Sequence, residues 1–347
     1  MAYDPVERHR KIEHAVVQER VGGDLKKYYR FRRDHWYGGV ITADCAGCGL
    51  TCKFCWVRKE SILEGREAGE FLKPEEAAHR VLELMKQKKI NQGRISGGEP
   101  TIGRRHLIQF LNVLQRRRVR FILETNGILI GEDESYAQEL AQYPFLHVRV
   151  SLKGCTESEF ARLTGSDPKG FHLQLNALRN LKKAGVSAHP SVMLSFSGRE
   201  EIDRLYSTIW RIDPILHSEI EKEEVILYPY VLERLRRAGL EWYSGHLPEK
   251  REQGAERRGH EKEDGQEERG ADYEEGKRRK GEKAKREIPR IVEWGARRRG
   301  EQDMNSTEEA IEKDQRPSIP GKDPKIRIKR GMVSPVPETI EGPKTED

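Results

Sequence analysis

Cysteine is scarce in this chain: five in 347 residues, four of them between positions 45 and 55. A disulfide framework needs cysteines distributed along the sequence, so that class of scaffold is excluded. Aromatics make up 7% and hydrophobic residues only 35%, against 35% charged. No apolar run approaches the ~20 residues needed to cross a bilayer, and the first residues lack an apolar signal core. The expected setting is the cytoplasm, where thiols stay reduced, without a membrane partner. A mean hydropathy of −0.83 is too polar for a uniformly packed protein, so part of the chain is expected to be unpacked.

Charge locates that part. The formal net charge is +6, yet residues 249–347 hold 25 Lys+Arg and 25 Asp+Glu, so the whole excess lies in residues 1–248. A mild basic excess permits an acidic partner such as RNA without establishing one. Beyond about Glu249 the sequence is mostly Glu, Arg, Lys and Gly, then Pro, Glu and Lys, with Ile291-Val292-Glu293-Trp294 as its one apolar island. Such composition buries too little apolar surface to offset chain entropy. Residues 246–347 are therefore expected to be a disordered charged tail. At the other end, residues 1–36 read as a basic helical extension. A helical stretch around Glu7–Glu19 precedes Lys26-Lys27-Tyr28-Tyr29-Arg30-Phe31-Arg32-Arg33. Interleaved cations and aromatics suit a solvated helix outside the main domain, and also suit single-stranded nucleic acid.

Between these segments, residues 37–245 alternate strand and helix signals. Strands are predicted over 39–43, 94–96, 119–123, 146–152, 186–194 and 224–228. Helices lie between them; one opens at Pro74, where a first turn accepts proline, and repeats Ala77, Ala78, Val81, Leu82 and Met85 at helical spacing. Six strands alternating with helices imply parallel pairing through right-handed crossovers. An open sheet and a curved partial barrel both satisfy this. In either, sites are built at the strands' C-terminal ends.

Directly after the first strand comes Cys45-Ala46-Gly47-Cys48-Gly49-Leu50-Thr51-Cys52-Lys53-Phe54-Cys55-Trp56. Cys48, Cys52 and Cys55 have the spacing C-x3-C-x2-C. Three closely spaced thiolates can each take one iron of a cubane cluster, leaving the fourth iron open to another ligand. Zinc ribbons set two knuckles about 15–20 residues apart, whereas only three residues separate Cys48 from Cys52. A closed electron-transfer cluster with Cys45 as fourth ligand is the other alternative.

Together with Gly97-Gly98-Glu99-Pro100, Glu124-Thr125-Asn126-Gly127 and Ser151-Leu152-Lys153, each at a predicted strand end, this loop resembles the radical S-adenosylmethionine (radical SAM) superfamily over roughly residues 38–245. The nearest form is the small, single-cluster type, similar to glycyl-radical-enzyme (pyruvate formate-lyase) activating enzymes. Phe-Cys-Trp also resembles the tRNA wyosine-base synthases. The resemblance implies an α/β (βα)6 partial TIM barrel and two cofactors, a 4Fe–4S cluster on Cys48, Cys52 and Cys55 and S-adenosylmethionine. It implies reductive cleavage to a 5′-deoxyadenosyl radical that abstracts hydrogen from a substrate. An external one-electron donor, ferredoxin or flavodoxin, would supply the electron.

Site roles follow from the same resemblance. Phe54 is expected against the adenine. Glu99, beside two glycines that let backbone approach a ligand, is expected to pair with the methionine ammonium, within a turn that includes Pro100. Glu124, Thr125, Ser151 and Lys153 are expected at the cofactor's carboxylate and ribose; relatives usually have Asp where Ser151 stands. On the fifth strand Ser187, His189, Ser191 and Met193 share one face by alternation, with His189 as a cofactor contact. After the loop only Cys155 remains, so cysteines within this sequence build no auxiliary cluster. The expected substrate is a glycyl-radical partner protein, RNA or a metabolite; the competing class is a non-enzymatic iron–sulfur carrier or regulator.

Overall fold

The computed structural model describes residues 2–58, 60–66, 69–117 and 119–248; the expected disordered tail lies almost entirely outside them. Helix α1 (Pro5–Val16), capped by the Asp4 carboxylate on the amides of Val6 and Glu7, leads into β1 (Val17–Gln18) and β2 (Leu25–Asp34). Then come β3 (Val40–Cys45), α2 (Glu60–Leu63), β4 (Glu70–Leu72), α3 (Pro74–Lys88), β5 (Gln92–Gly97), α4 (Arg104–Gln115), β6 (Arg120–Thr125), α5 (Ile128–Glu132), α6 (Glu134–Leu140) and β7 (Leu146–Leu152). The chain continues through α7 (Glu157–Thr164), α8 (Lys169–Lys183), β8 (Ala188–Met193), α9 (Arg199–Ile212), α10 (Pro214–Ser218), β9 (Glu221–Glu223), β10 (Val225–Ile226), α11 (Pro229–Arg237) and β11 (Gly245–His246).

Strands β3, β5, β6, β7, β8 and β9 pair in that order, all parallel. This is the six-stranded parallel unit of the expected partial barrel. The two faces of the sheet differ in chemistry. Ile41, Ala43, Ile95, Phe121, Leu123, Val148, Val150 and Val192 join the core built with the helices. Alternate residues, among them Thr42, Asp44, Arg94, Ser96, Arg149, Ser151 and Ser191, are polar and still buried. A parallel sheet packed on both faces reads as an unbroken apolar run; the second face here is polar instead, and buried.

Two expectations are corrected. Residues 1–36 are not a wholly helical extension: Leu25–Asp34 is a strand antiparallel to β3 and to β4, which widens the sheet by one edge. Alternation explains it, since Lys26 is wholly buried and Tyr28 is 1% exposed. Two residues of the run that suited a nucleic-acid surface, Lys26 and Tyr28, are therefore buried. The sixth strand is Glu221–Glu223 rather than 224–228; Val225–Ile226 instead pairs with Gly245–His246 in a separate ribbon. The charged Glu-Lys-Glu strand carries no apolar signal because its inward side chains meet Arg149 rather than a core.

Helix α5 crosses α8 so closely that a Cβ on Gly131 would lie 1.8 Å from the Leu173 carbonyl oxygen. Backbone cannot yield as a side chain can, so Gly131→Ala should destabilise the fold by about 1–3 kcal/mol, the usual range for overpacking. Denaturant unfolding followed by circular dichroism checks this, with an unchanged midpoint counting against the packing described.

Candidate cofactor site

The cysteine loop emerges at the C-terminal end of β3 and is fixed from several sides. Gly47 and Cys48 donate to the carbonyls of Ile62 and Leu63 at 3.0 and 2.8 Å, and Lys53 donates to Leu163 at 2.9 Å. The Thr51 amide donates to the Tyr3 hydroxyl at 3.0 Å, and the Thr51 hydroxyl to the Thr164 carbonyl at 2.6 Å. From the C-terminal side, α11 straps the loop: Arg234 donates to the Cys55 carbonyl, and the Tyr230 hydroxyl to that of Trp56 at 2.7 Å. Two sequence-distant elements therefore hold one short loop still.

The Gly-Gly-Glu-Pro turn is stitched to the same loop through backbone. Gly98 donates to Cys45 at 2.7 Å and Glu99 to Gly47 at 2.5 Å. Gly97 has φ +93°, a left-handed conformation that glycine alone adopts freely. A Cβ on Gly98 would stand 2.2 Å from the Gly47 oxygen, so a side chain there would part the two segments.

Cys48, Cys52 and Cys55 are half-buried, while Cys45 is buried within β3. Burial pushes the Cys52 thiol up to about 12 and the Cys45 thiol to about 11. The Cys48 and Cys55 thiols are likewise raised by burial, and the charges of Lys153 and Arg234 pull Cys52 and Cys55 back toward the thiolate. Thiolate is the ligating form, so loading iron releases these protons. Among the described residues no group of three or more His, Cys, Asp and Glu surrounds a point that one metal ion could occupy. A cluster differs from an ion in this respect, since its thiolate ligands sit on separate irons. Three soft sulfur donors on a pinned loop, with Asn126 Nδ2 3.8 Å from Cys48 Sγ, fit a 4Fe–4S group.

The remaining expected residues fall into two places. Thr125 lies at the cysteine-loop end, as do Lys153 and Phe54. Lys153 Nζ is 2.5 Å from Ser151 Oγ and 5.9 Å from the Phe54 ring centre. Phe54, expected against the adenine, is 9% exposed and packs on Phe196, with ring centres 5.5 Å apart. The Glu99 carboxylate is 1% exposed and accepts from the Thr101 amide and hydroxyl, the Thr125 hydroxyl and the Asn126 amide at 2.6–3.1 Å. Both oxygens are thus engaged in tying β5 to β6, and direct pairing with an ammonium is not what this arrangement offers. Glu124 is held by Arg94, Ser96 and Tyr37. His189, second residue of β8, lies at the end of the strand away from the loop; its ring meets His147 at 2.6 Å and Glu221 at 3.0 Å. It belongs to an ion network on the sheet's polar face, where Arg149 joins Glu221 and Glu223.

Several residues escaped the sequence reading. Asn126 Nδ2 stands 3.0 Å from Nε2 of the buried His9, whose ring occupies the space above Gly49. Buried Gln174 donates to the Asn126 and Ser151 carbonyls and accepts from the Lys153 amide, joining β6 to β7. Asn126 stood inside a noted motif; His9, Gln174 and Arg234 carry no local signal, because helices bring them from afar. A cleft of about 370 Å³ opens beside Cys48 and Cys52, lined by Arg8, Lys53, Arg234 and Arg237 with Glu60 and Glu64.

Comparison with known proteins bears on this geometry. Residues 44–209 match the model of the radical SAM superfamily. That segment is a radical SAM domain. Among curated proteins, similarity is found to a probable GTP 3′,8-cyclase of Saccharolobus islandicus, 31% identical over 157 residues, covering 45% of this chain and 47% of that protein. One from Thermoplasma volcanium is 26% identical over 204 residues, covering 58% and 56%. The chain spans about half the length of the curated relatives it matches. Among solved structures, Streptococcus suis SuiB bound to S-adenosylmethionine is similar at 20% identity and TM-score 0.43, covering 56% of this chain and 44% of that one. The matched segment opens one residue before Cys45 and includes the cysteine loop and the glycine turn.

Alanine at Cys48, Cys52 or Cys55 should abolish the iron content and brown absorbance of anaerobically reconstituted protein, while Cys45→Ala and Cys155→Ala should retain both. Loss in Cys45→Ala equal to that in Cys48→Ala would refute the three-ligand assignment.

Glu221 generates a pH prediction. Burial alone would raise its carboxyl, but hydrogen bonds from His189 and Arg149 with the Arg149 charge hold it at about 2, against an ordinary 4.5. A depressed folded-state value gives stability that is complete above pH 4.5 and lost as pH falls toward 2. Glu221→Gln should therefore show a smaller fall in denaturant midpoint between pH 4.5 and 2 than the parent, and parallel curves would discount the network.

Proposed function

We propose that this chain is a single-cluster radical SAM enzyme in which Cys48, Cys52 and Cys55 hold a 4Fe–4S cluster and the neighbouring strand ends hold S-adenosylmethionine. The observation that carries this reading is the pinned three-thiol loop stitched, backbone to backbone, to the Gly97–Pro100 turn. When bound, the two cofactors supply a one-electron route to breaking an unactivated C–H bond. The protein's own part is ligation, orientation and exclusion of water. Arg234 and Tyr230 hold the loop carbonyls. Glu99 fixes the amides and hydroxyls of the β5 and β6 ends, and Gln174 fixes those of β6 and β7. Lys153 remains the cation placed for a carboxylate, with Ser151 beside it. Phe54 is proposed to offer a ring edge to the adenine from the apolar cluster it shares with Phe196.

The donor is proposed to be an external acidic one-electron carrier, a ferredoxin or flavodoxin, working in the cytoplasm. The cleft beside Cys48 and Cys52 supports this, since four cations line it against two carboxylates. Among the described residues no helix is long and apolar enough to cross a membrane. For the substrate, the activase-like motifs suggest a glycyl-radical partner protein. The curated relatives are named for GTP cyclisation, which adds a purine nucleotide to RNA and small metabolites on the nucleotide side. The paired charges of the sheet's polar face suit a polar substrate in each case.

Anaerobic reconstitution, reduction with dithionite and chromatography for 5′-deoxyadenosine test the activity without knowledge of the substrate. Formation of 5′-deoxyadenosine and methionine, absent in Cys52→Ala, is expected. A fully loaded, reduced cluster that yields neither product would make the chain an iron–sulfur carrier or regulator.

A further inference from the structure

Lys26, on β2, is the fully buried lysine of the described core, with no exposed surface. Its Nζ donates to the carbonyls of Glu99 and Pro100, each at 3.2 Å, and to that of Ile102. An ammonium has three N–H donors and a neutral amine two, so three acceptors match the charged form. Burial works against the charge, while Glu99 and Glu13 nearby favour it. Two of the carbonyls belong to the turn whose amides, Gly98 and Glu99, donate to the cysteine loop, and the third, Ile102, follows it just before α4. The turn is thus held on its amide side by that loop and on its carbonyl side by a single cation from another strand.

We propose that Lys26 is a positioning residue for the cofactor site, its ammonium clamping the Gly97–Pro100 turn against the cysteine loop. This rests on the reading of that turn as part of the S-adenosylmethionine site. Lys26 touches no cofactor itself; it sets where the turn's backbone stands. A long apolar side chain fills the same space and supplies no donor, so the carbonyls are left to reorient and the turn loosens. Because the cysteines are held separately through Ile62, Leu63 and Leu163, cluster loading does not depend on the clamp.

The test compares Lys26→Met and Lys26→Gln with the parent chain. In cluster-free protein, amide hydrogen exchange over residues 98–102 should be at least tenfold faster in Lys26→Met, with exchange in β7 unchanged. After reconstitution, iron content should match the parent, while the concentration of S-adenosylmethionine needed to alter the electron paramagnetic resonance spectrum of the reduced cluster should rise at least tenfold. Lys26→Gln, which keeps one donor group without the charge, should fall between. Unchanged exchange, or a titration midpoint within twofold of the parent, overturns the clamp. Loss of folding in both variants overturns it also, by making Lys26 a determinant of the fold rather than of the turn. If the parent's own spectrum ignores S-adenosylmethionine, the cofactor reading fails with the inference built on it, whereas exchange still reports whether Lys26 holds the turn.

Discussion

The close approach of two backbones, Cys45–Gly47 against Gly97–Glu99, is the constraint on which the site depends. Hydrogen bonds of 2.7 and 2.5 Å join them, and a Cβ at Gly98 would intrude to 2.2 Å from the Gly47 oxygen. Backbone-to-backbone contact is the stiffest way to register two loops, because no rotamer can relax it. It also leaves the cysteine side chains out of the structural bonding, available for metal. The glycines are therefore required by the junction itself, before any ligand is considered.

A second constraint is electrostatic. One face of the sheet carries Arg32, Arg94, Arg149, Asp34, Asp44, Glu124, Glu221 and Glu223 in mutual pairs. Unpaired, such charges would be costly to bury; removing one partner leaves the other stranded. The pairs let a polar face stay buried where single charges would not. Depth divides this face into two uses. At the cysteine-loop end Lys153 bonds Ser151, which reaches Glu223, whereas toward the opposite end His147, His189, Glu221 and Arg149 form a continuous network.

Most of the fold was legible in the sequence, for physical reasons that also explain the failures. Five of the six parallel strands were read near their places, β3, β6 and β7 from buried apolar residues, and β7 to its residue bounds, Leu146–Leu152. The sixth was displaced because Glu221–Glu223 is buried by ion pairing, which hydropathy does not see. Likewise Leu25–Asp34 reads as a basic surface although Lys26 and Tyr28 within it are buried. The cysteine spacing and the glycine turn were visible because their chemistry is local. Glu99 shows the limit of that locality. A carboxylate beside two glycines resembles a ligand contact, yet its four donors come from Thr101, Thr125 and Asn126, two of them on a different strand end. His189 shows another limit: alternation gives the face of a strand but not the depth along it.

That distinction between face and depth bears on how far the site can be narrowed. In a parallel sheet every strand presents its C-terminal end to the same side, so residues from β3, β5, β6 and β7 meet although they are distant in sequence. Meeting is not yet alignment, which here comes from groups that touch no cofactor in the reading offered. Gln174 spans two strand ends, Arg234 and Tyr230 grip the loop from a late helix, and the Glu99 carboxylate gathers three residues' donors beneath the turn. Each satisfies backbone groups that burial would otherwise leave unpaired, at a cost of about 1–3 kcal/mol apiece. The same bonds that keep the strand ends from fraying thus hold three thiols and a glycine turn in one register, so stability of this end of the sheet and fitness of the site are one requirement.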